Sequence, residues 1–155
     1  MVAGNINFTT NTLILTSNTF HNNVATYGGA LYIEGGTLNL TENTFLNNTA
    51  GSGGGALCIV DCSLILTENT FHNNTAGGIG GALYSVECSL NLTGNIFKCN
   101  TAYGCGRAQY ITSSTLQCTG NKFQKNHAAS GGIVCIDRSN VTFLNDSFTD
   151  SYAEF

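Results

Sequence analysis

Six phenylalanines constrain this chain more than any other feature. Phe20, Phe45, Phe71, Phe97, Phe123 and Phe148 follow one another at 25, 26, 26, 26 and 25 residues. Three residues after the first five stand Asn23, Asn48, Asn74, Asn100 and Asn126, with Ser151 in the sixth copy. Five residues after each stands Ala25, Ala50, Ala76, Ala102, Ala128 or Ala153. A fixed period of this size marks a solenoid, in which each unit buries its apolar face only against its neighbours. The whole chain, 1–155, therefore reads as one elongated repeat domain. Its coils begin near 13, 37, 63, 89, 115 and 141, after a degenerate leading strand over residues 2–12.

The repeats are not helical. A helical repeat needs amphipathic stretches of roughly ten or more helix formers. Here short apolar runs, such as Leu64-Ile65-Leu66 and Ala82-Leu83-Tyr84, lie between Gly and Asn clusters. That pattern reads as strands joined by tight turns. Three short strands per turn give an all-β fold, a single-stranded parallel β-helix of the pectin-lyase-like kind with about 26 residues per coil. Crossover handedness makes it right-handed, and adjacent coils then lie about 4.8 Å apart.

Equivalent positions form files up the stack. Leu13, Leu38, Leu64, Leu90 and Leu116 make one, and Leu15, Leu40, Leu66, Leu92 and Cys118 a second. The position between them holds Ile14, Asn39, Ile65, Asn91 and Gln117, so it faces solvent and the leucines face in. After each Gly pair both parities are apolar, and Gln109 and Ser85 interrupt the Leu/Ile parity. On that ground the Ala and Tyr positions are expected to point inward. Asn18, Asn43, Asn69, Asn95 and Asn121, closed by Asp146, form a further file read as structural, because Asn accepts left-handed turn conformations and can hydrogen-bond between copies.

Phe-x-x-Asn alternates with a Gly pair through the chain. The first half recurs as Phe20-His-Asn-Asn23, Phe45-Leu-Asn-Asn48, Phe71-His-Asn-Asn74, Phe97-Lys-Cys-Asn100 and Phe123-Gln-Lys-Asn126. The second recurs as Gly28-Gly29-Ala30-Leu31, Gly54-Gly55-Ala56-Leu57 and Gly80-Gly81-Ala82-Leu83, with departures at Gly106-Arg107-Ala108-Gln109 and Gly131-Gly132-Ile133-Val134. This alternation resembles the repeats of the chlamydial polymorphic outer-membrane proteins. The resemblance implies a right-handed β-helix, carried as an autotransporter passenger and serving as a non-enzymatic cell-surface or secreted adhesin or stalk. Its implied partner is a receptor or glycan on a host or neighbouring cell.

Only 9% of residues are charged and the net charge is −4. Nucleic-acid binding wants a basic stripe and is excluded as an expectation. The amino terminus has no basic region followed by an apolar one, so it does not read as a signal peptide. No apolar run approaches the ~18 residues of a membrane helix, and no membrane insertion by this segment is expected. The chain reads as part of a longer surface protein, extracellular or on the outer cell surface. End-to-end self-association is expected if its terminal strand edges are uncovered.

Enzymes built on β-helices need clustered carboxylates with a basic partner. Glu42 and Glu68 stack in neighbouring coils, as do Asp61 and Glu87, with no Lys or Arg at the matching position of the next coil. These read as solvated turns. A carbohydrate-active β-helix with catalytic coils outside this segment is the alternative. His21 and His72 share a file with Leu46 between them, too far apart for one metal. No cofactor and no metal site is expected. A third reading, ice binding, rests on the file Thr16, Thr41, Thr67, Thr93 and Thr119. Its companion Thr19, Thr44 and Thr70 is broken by Ile96 and Lys122. Asn-x-Ser/Thr triplets at Asn7, Asn39, Asn47, Asn73, Asn91, Asn140 and Asn145 are glycan acceptors only in a eukaryotic secretory route.

Seven cysteines in 155 residues point to an oxidising compartment. Cys62 and Cys88 lie one period apart, so their Cα atoms stack at about 4.8 Å, inside the disulfide range. A Cys62–Cys88 bond is expected to staple two coils. Cys99 and Cys105, in one coil, are a second candidate pair. Cys118 takes a core leucine position and is expected to stay a thiol. Cys58 and Cys135 align but lie three coils apart.

Overall fold

The computed structural model describes residues 12–129 and 132–153. Asn7, the leading residues 2–11, Gly131 and Glu154 lie outside them. Every regular element among the described residues is a short strand. The strands form four parallel sheets, three of six strands and one of five. A coil thus has four strands where three were expected. The third coil shows the plan: Ser63–Thr67, Thr70–His72, Thr75–Ala76 and Leu83–Val86 contribute to the first, second, third and fourth sheets in turn. Each pairs with the equivalent strand one coil before and after. The fourth side was hidden in the sequence because the corner after each Phe strand is made without Gly or Pro.

The corners explain the polar residues of the repeat. After each first-sheet strand one residue takes the left-handed conformation: Ser17, Glu42, Glu68, Gly94, Gly120 or Asn145. After each second-sheet strand it is Asn22, Asn47, Asn73, Cys99, Lys125 or Asp150. The residue that follows turns inward. At the first corner it is the Asn18 file and at the second the Asn23 file, whose middle members are fully buried. Each buried amide serves both neighbouring coils. Asn69 Oδ1 accepts the backbone N–H of Asn43 at 2.8 Å and its side-chain amide at 3.1 Å, while Asn69 Nδ2 donates to the Leu40 carbonyl at 2.8 Å. These bonds satisfy backbone groups that a sharp corner would otherwise orphan.

The third corner carries the Gly pairs. Gly28, Gly54, Gly80 and Gly106 have φ of 55–72°, a region costly for residues with a Cβ. The second glycine is needed for a different reason. A Cβ on Gly55 would run into the carbonyl oxygen of Gly81 in the next coil and lie 2.7 Å from Thr75 N. Here backbone approaches backbone too closely for any side chain.

The interior is filled by files. Leu38, Leu64, Leu90 and Leu116 face Phe45, Phe71, Phe97 and Phe123, all at most 3% exposed. The phenylalanine rings stack near-parallel, with centroids 4.7–5.0 Å apart from Phe20 to Phe148. Ala50, Ala76, Ala102 and Ala128 line the inner side of the third sheet with no exposure, a site too cramped for a larger residue.

The fourth sheet turns its Leu/Ile parity inward, not the Ala/Tyr parity expected from the sequence. In the fourth sheet Leu31, Leu57 and Leu83 point inward with Ile33, Ile59 and Ile111, while Tyr32, Tyr84 and Tyr110 point out and are half-buried. The small alanines before each strand are buried too, at the corner. The two polar residues on the inward parity, Ser85 and Gln109, are therefore core residues with no exposure. The Ser85 hydroxyl and both amide atoms of Gln109 have no hydrogen-bond partner among the described residues.

Candidate interaction faces

Because the interior is full, the chemistry available to a partner lies on the outer sides of the sheets. The first sheet has the longest regular strands, five residues each. Alternation puts three side chains of each strand outside. Their files run in register: Thr12, Thr37, Ser63, Ser89, Thr115 and Asn140 at one edge, and Thr16, Thr41, Thr67, Thr93, Thr119 and Leu144 at the other. Between them runs Ile14, Asn39, Ile65, Asn91, Gln117 and Thr142. No residue of this face is charged. Its rims are, because Asp61 and Glu87 precede the strands of coils three and four, and Glu42 and Glu68 follow those of coils two and three.

The companion of the Thr16 file is thus the Thr12 file on the same strand, not the Thr19 file. Thr19, Thr44, Thr70, Ile96 and Lys122 open the second-sheet strands, past a corner. The i, i+4 spacing of Ser/Thr across a five-residue strand was the signal for it.

The acids are placed as solvated corners. Glu42, Glu68, Asp61 and Glu87 all adopt positive φ and are exposed, and Glu42 accepts from the Ser17 hydroxyl at 3.2 Å. His21, Leu46 and His72 occupy consecutive coils. His127 stacks on Tyr152 at 4.7 Å. No group of three or more His, Cys, Asp or Glu among the described residues is arranged to hold a metal ion. Of the described triplet asparagines, Asn47, Asn73, Asn91, Asn140 and Asn145 are exposed and Asn39 is half-exposed. Asn73 donates to Asn47 Oδ1 at 2.7 Å.

The cysteines fall into distinct settings, and all seven are thiols. Cys62 and Cys88 stack in neighbouring coils, each carried as a free thiol. They belong to the fourth corner, with Ser114 and Ser139 as the next members of the file. There the thiol works as a serine hydroxyl does: Cys88 Sγ–H donates to Val86 O at 3.0 Å and Cys88 Sγ accepts Cys62 N–H at 3.4 Å. One coil on, Ser114 Oγ–H donates to Thr112 O at 2.7 Å and Ser114 Oγ accepts Cys88 N–H at 2.9 Å. The hydrogen bond with Cys62, and then burial, hold the Cys88 thiol above the usual range. Cys118 is buried in its leucine file, and burial raises its pKa to about 12. Cys99 sits on the second corner with φ 54°. Cys105, its candidate partner in the same coil, shares a side-chain hydrogen bond with Cys135 of the following coil.

No helix of the described residues is long and apolar enough to cross a membrane. No curated protein and no solved structure matched the chain. Residues 4–154 match the family described as "Right handed beta helix region". The match spans nearly the full chain, in agreement with the four parallel sheets, and the chain belongs to the right-handed beta helix family.

Proposed function

We propose that this chain is a non-enzymatic rod of a cell-surface or secreted protein, an adhesive passenger or stalk of the polymorphic outer-membrane type, which engages a surface receptor or glycan along its side. The observation that carries this reading is the first sheet's outer face. It is an uncharged face with two edge files of mostly hydroxyl groups and a middle file of Asn39, Asn91, Gln117 and Thr142 interrupted by the exposed Ile14 and Ile65, presented on a scaffold whose core is closed. Such an array suits hydrogen bonding to neutral polyhydroxylated ligands, while a rigid solenoid holds the groups in fixed register. Glu42, Glu68, Asp61 and Glu87, in contrast, lie at solvated corners as two stacked pairs and do not converge on a cleft.

The test compares binding and cleavage. The protein is applied to immobilised glycans and to cultured cells, and the polysaccharides are assayed for new reducing ends. Saturable binding weakened at least tenfold by Asn39→Lys with Asn91→Lys supports the proposal. Cleavage lost on replacing Asp61 and Glu87 would establish the carbohydrate-active alternative instead. The paired Thr/Ser files also favour a second reading, ice binding, which a thermal-hysteresis measurement decides.

A further inference from the structure

Outside the fourth sheet two files run side by side. One consists of the outward residues Tyr32, Cys58, Tyr84, Tyr110 and Cys135, paired in register. The other belongs to the loops that lead into the Gly corner: Tyr27 pairs with Gly53, Gly53 bridges to Ile79, and the Gly80 amide donates to the Cys105 carbonyl at 3.1 Å. The loops overlie the strand, which is why Cys58 is only 1% exposed.

The contact between these files is diagonal. A Cβ built on Gly53, in the second coil, would meet Tyr84 Cδ1, in the third, at 2.9 Å. The loop residue of one coil therefore faces the strand residue of the next. The same step taken from Cys105, in the fourth coil, arrives at Cys135, in the fifth. Both side chains are partly exposed, and they share a hydrogen bond.

We infer that Cys105 and Cys135 are a disulfide-forming pair that staples the loop after Thr101–Ala102 to the strand Val134–Asp137 of the following coil. Sequence spacing gives no hint of it, because the partners stand at different positions of the repeat. The bond forms by exchange with a low-molecular-weight disulfide such as oxidised glutathione. One cysteine thiolate attacks a glutathione sulfur and releases glutathione thiolate. The second cysteine, deprotonated, attacks the mixed disulfide at the protein sulfur, forms Sγ–Sγ and releases the second glutathione. Two protein S–H bonds are lost, one S–S bond is made, the oxidant is reduced to two thiols, and the two protons end on those thiols. Burial and the adjacent Cys105 thiol hold Cys135 above the usual thiol range, so exchange runs faster at mildly alkaline pH.

The experiment incubates the folded, reduced chain with oxidised glutathione, then alkylates, digests with trypsin without reductant and maps the peptides. Cleavage at Arg107, Lys122 and Lys125 separates the two cysteines. The expected product joins the Cys105 peptide to the Cys135 peptide, persists in Cys99→Ser, and is lost in Cys105→Ser. Oxidation is expected to raise the melting temperature of the wild type and to leave that of Cys135→Ser unchanged. Alkylation of both Cys105 and Cys135 after oxidation, or a Cys99–Cys105 or Cys99–Cys135 link in their place, overturns the inference. The test does not depend on the surface reading of function, because the oxidant is supplied.

Discussion

Asn95 Oδ1 accepts two hydrogen bonds from Asn69 one coil earlier, from its backbone N–H at 2.8 Å and from its side-chain amide at 3.1 Å. Asn95 Nδ2 in turn donates to the Leu66 carbonyl at 2.9 Å and to Asn121 Oδ1 at 3.0 Å. Every polar atom of that amide is used, and none touches solvent. Truncation would leave buried partners on both sides unmet, at about 1–3 kcal/mol each. Asn95→Ala is therefore expected to destabilise by about 3 kcal/mol or more, measured by urea denaturation. Asn95→Asp is expected to be no better at neutral pH, since a carboxylate cannot donate to Leu66 O. Asp146 is tolerated in the same file because its oxygens only accept, from Asn121 and from Leu144 N.

The phenylalanine stack predicts a gradient along the rod. Phe71 and Phe97 are fully buried, with centroids 4.7 Å apart. Replacing either by Ala is expected to cost about 3–5 kcal/mol. Phe148 stacks on Phe123 at 4.8 Å but is 42% exposed, and Phe148→Ala is expected to cost less than half as much. Equal losses from chemical denaturation of the two variants would show that the ring stack does not carry the core.

Two glycines separate conformational strain from steric closure. Gly120 has φ 67° and open space around a built Cβ, and its equivalents are Ser17, Glu42, Glu68 and Asn145. Gly120→Asn is expected to change the melting temperature little, because Asn accepts this conformation. Gly55→Ala presses a methyl group against the backbone of the next coil, and is expected to abolish folding or to melt far below the parent protein.

The fourth-corner file predicts which cysteine replacements are tolerated. Cys88→Ser keeps both the donor to Val86 and the acceptor for Cys62 N–H, and is expected to cost under about 1 kcal/mol. Cys88→Val keeps the volume but strands Cys62 N–H, and is expected to cost about 1–3 kcal/mol. Urea denaturation of the two variants under reducing conditions reads the difference. Equal losses from the two variants would contradict the thiol's role as a hydrogen-bonding counterpart of Ser114.

The parts of the fold that were legible in sequence are those in which one residue type repeats at one phase. The Phe, Asn and Ala files each obey a single constraint, whether volume, corner hydrogen bonding or cramped space, so their spacing transferred directly to three dimensions. The fourth sheet was misread because loops cover its outer side. Cys58 and Leu57 are both almost fully buried although they point in opposite directions, and alternation carries no information when both faces are apolar. The Cys105–Cys135 contact was illegible because it steps diagonally between two different repeat positions. The outer face of the first sheet was half legible. Its Thr16 file was plain, but its companion mixes Thr, Ser and Asn.

The polar core residues Ser85 and Gln109 break the fourth-sheet files without finding partners among the described residues. Gln109→Leu restores the residue found at 31, 57 and 83, removes a buried amide, and is expected to stabilise by about 1–3 kcal/mol. A loss of stability in urea would show that the amide is satisfied in solution.

The buried amide files hold the coils in register from within and leave the outer faces to interact. A double-mutant cycle on Asn69 and Asn95 tests this most directly. Urea denaturation of Asn69→Ala, Asn95→Ala and the double variant should give a coupling of at least about 1 kcal/mol, as contacting residues in one hydrogen-bond network do. Additive losses would contradict the ladder as the element that locks one coil to the next.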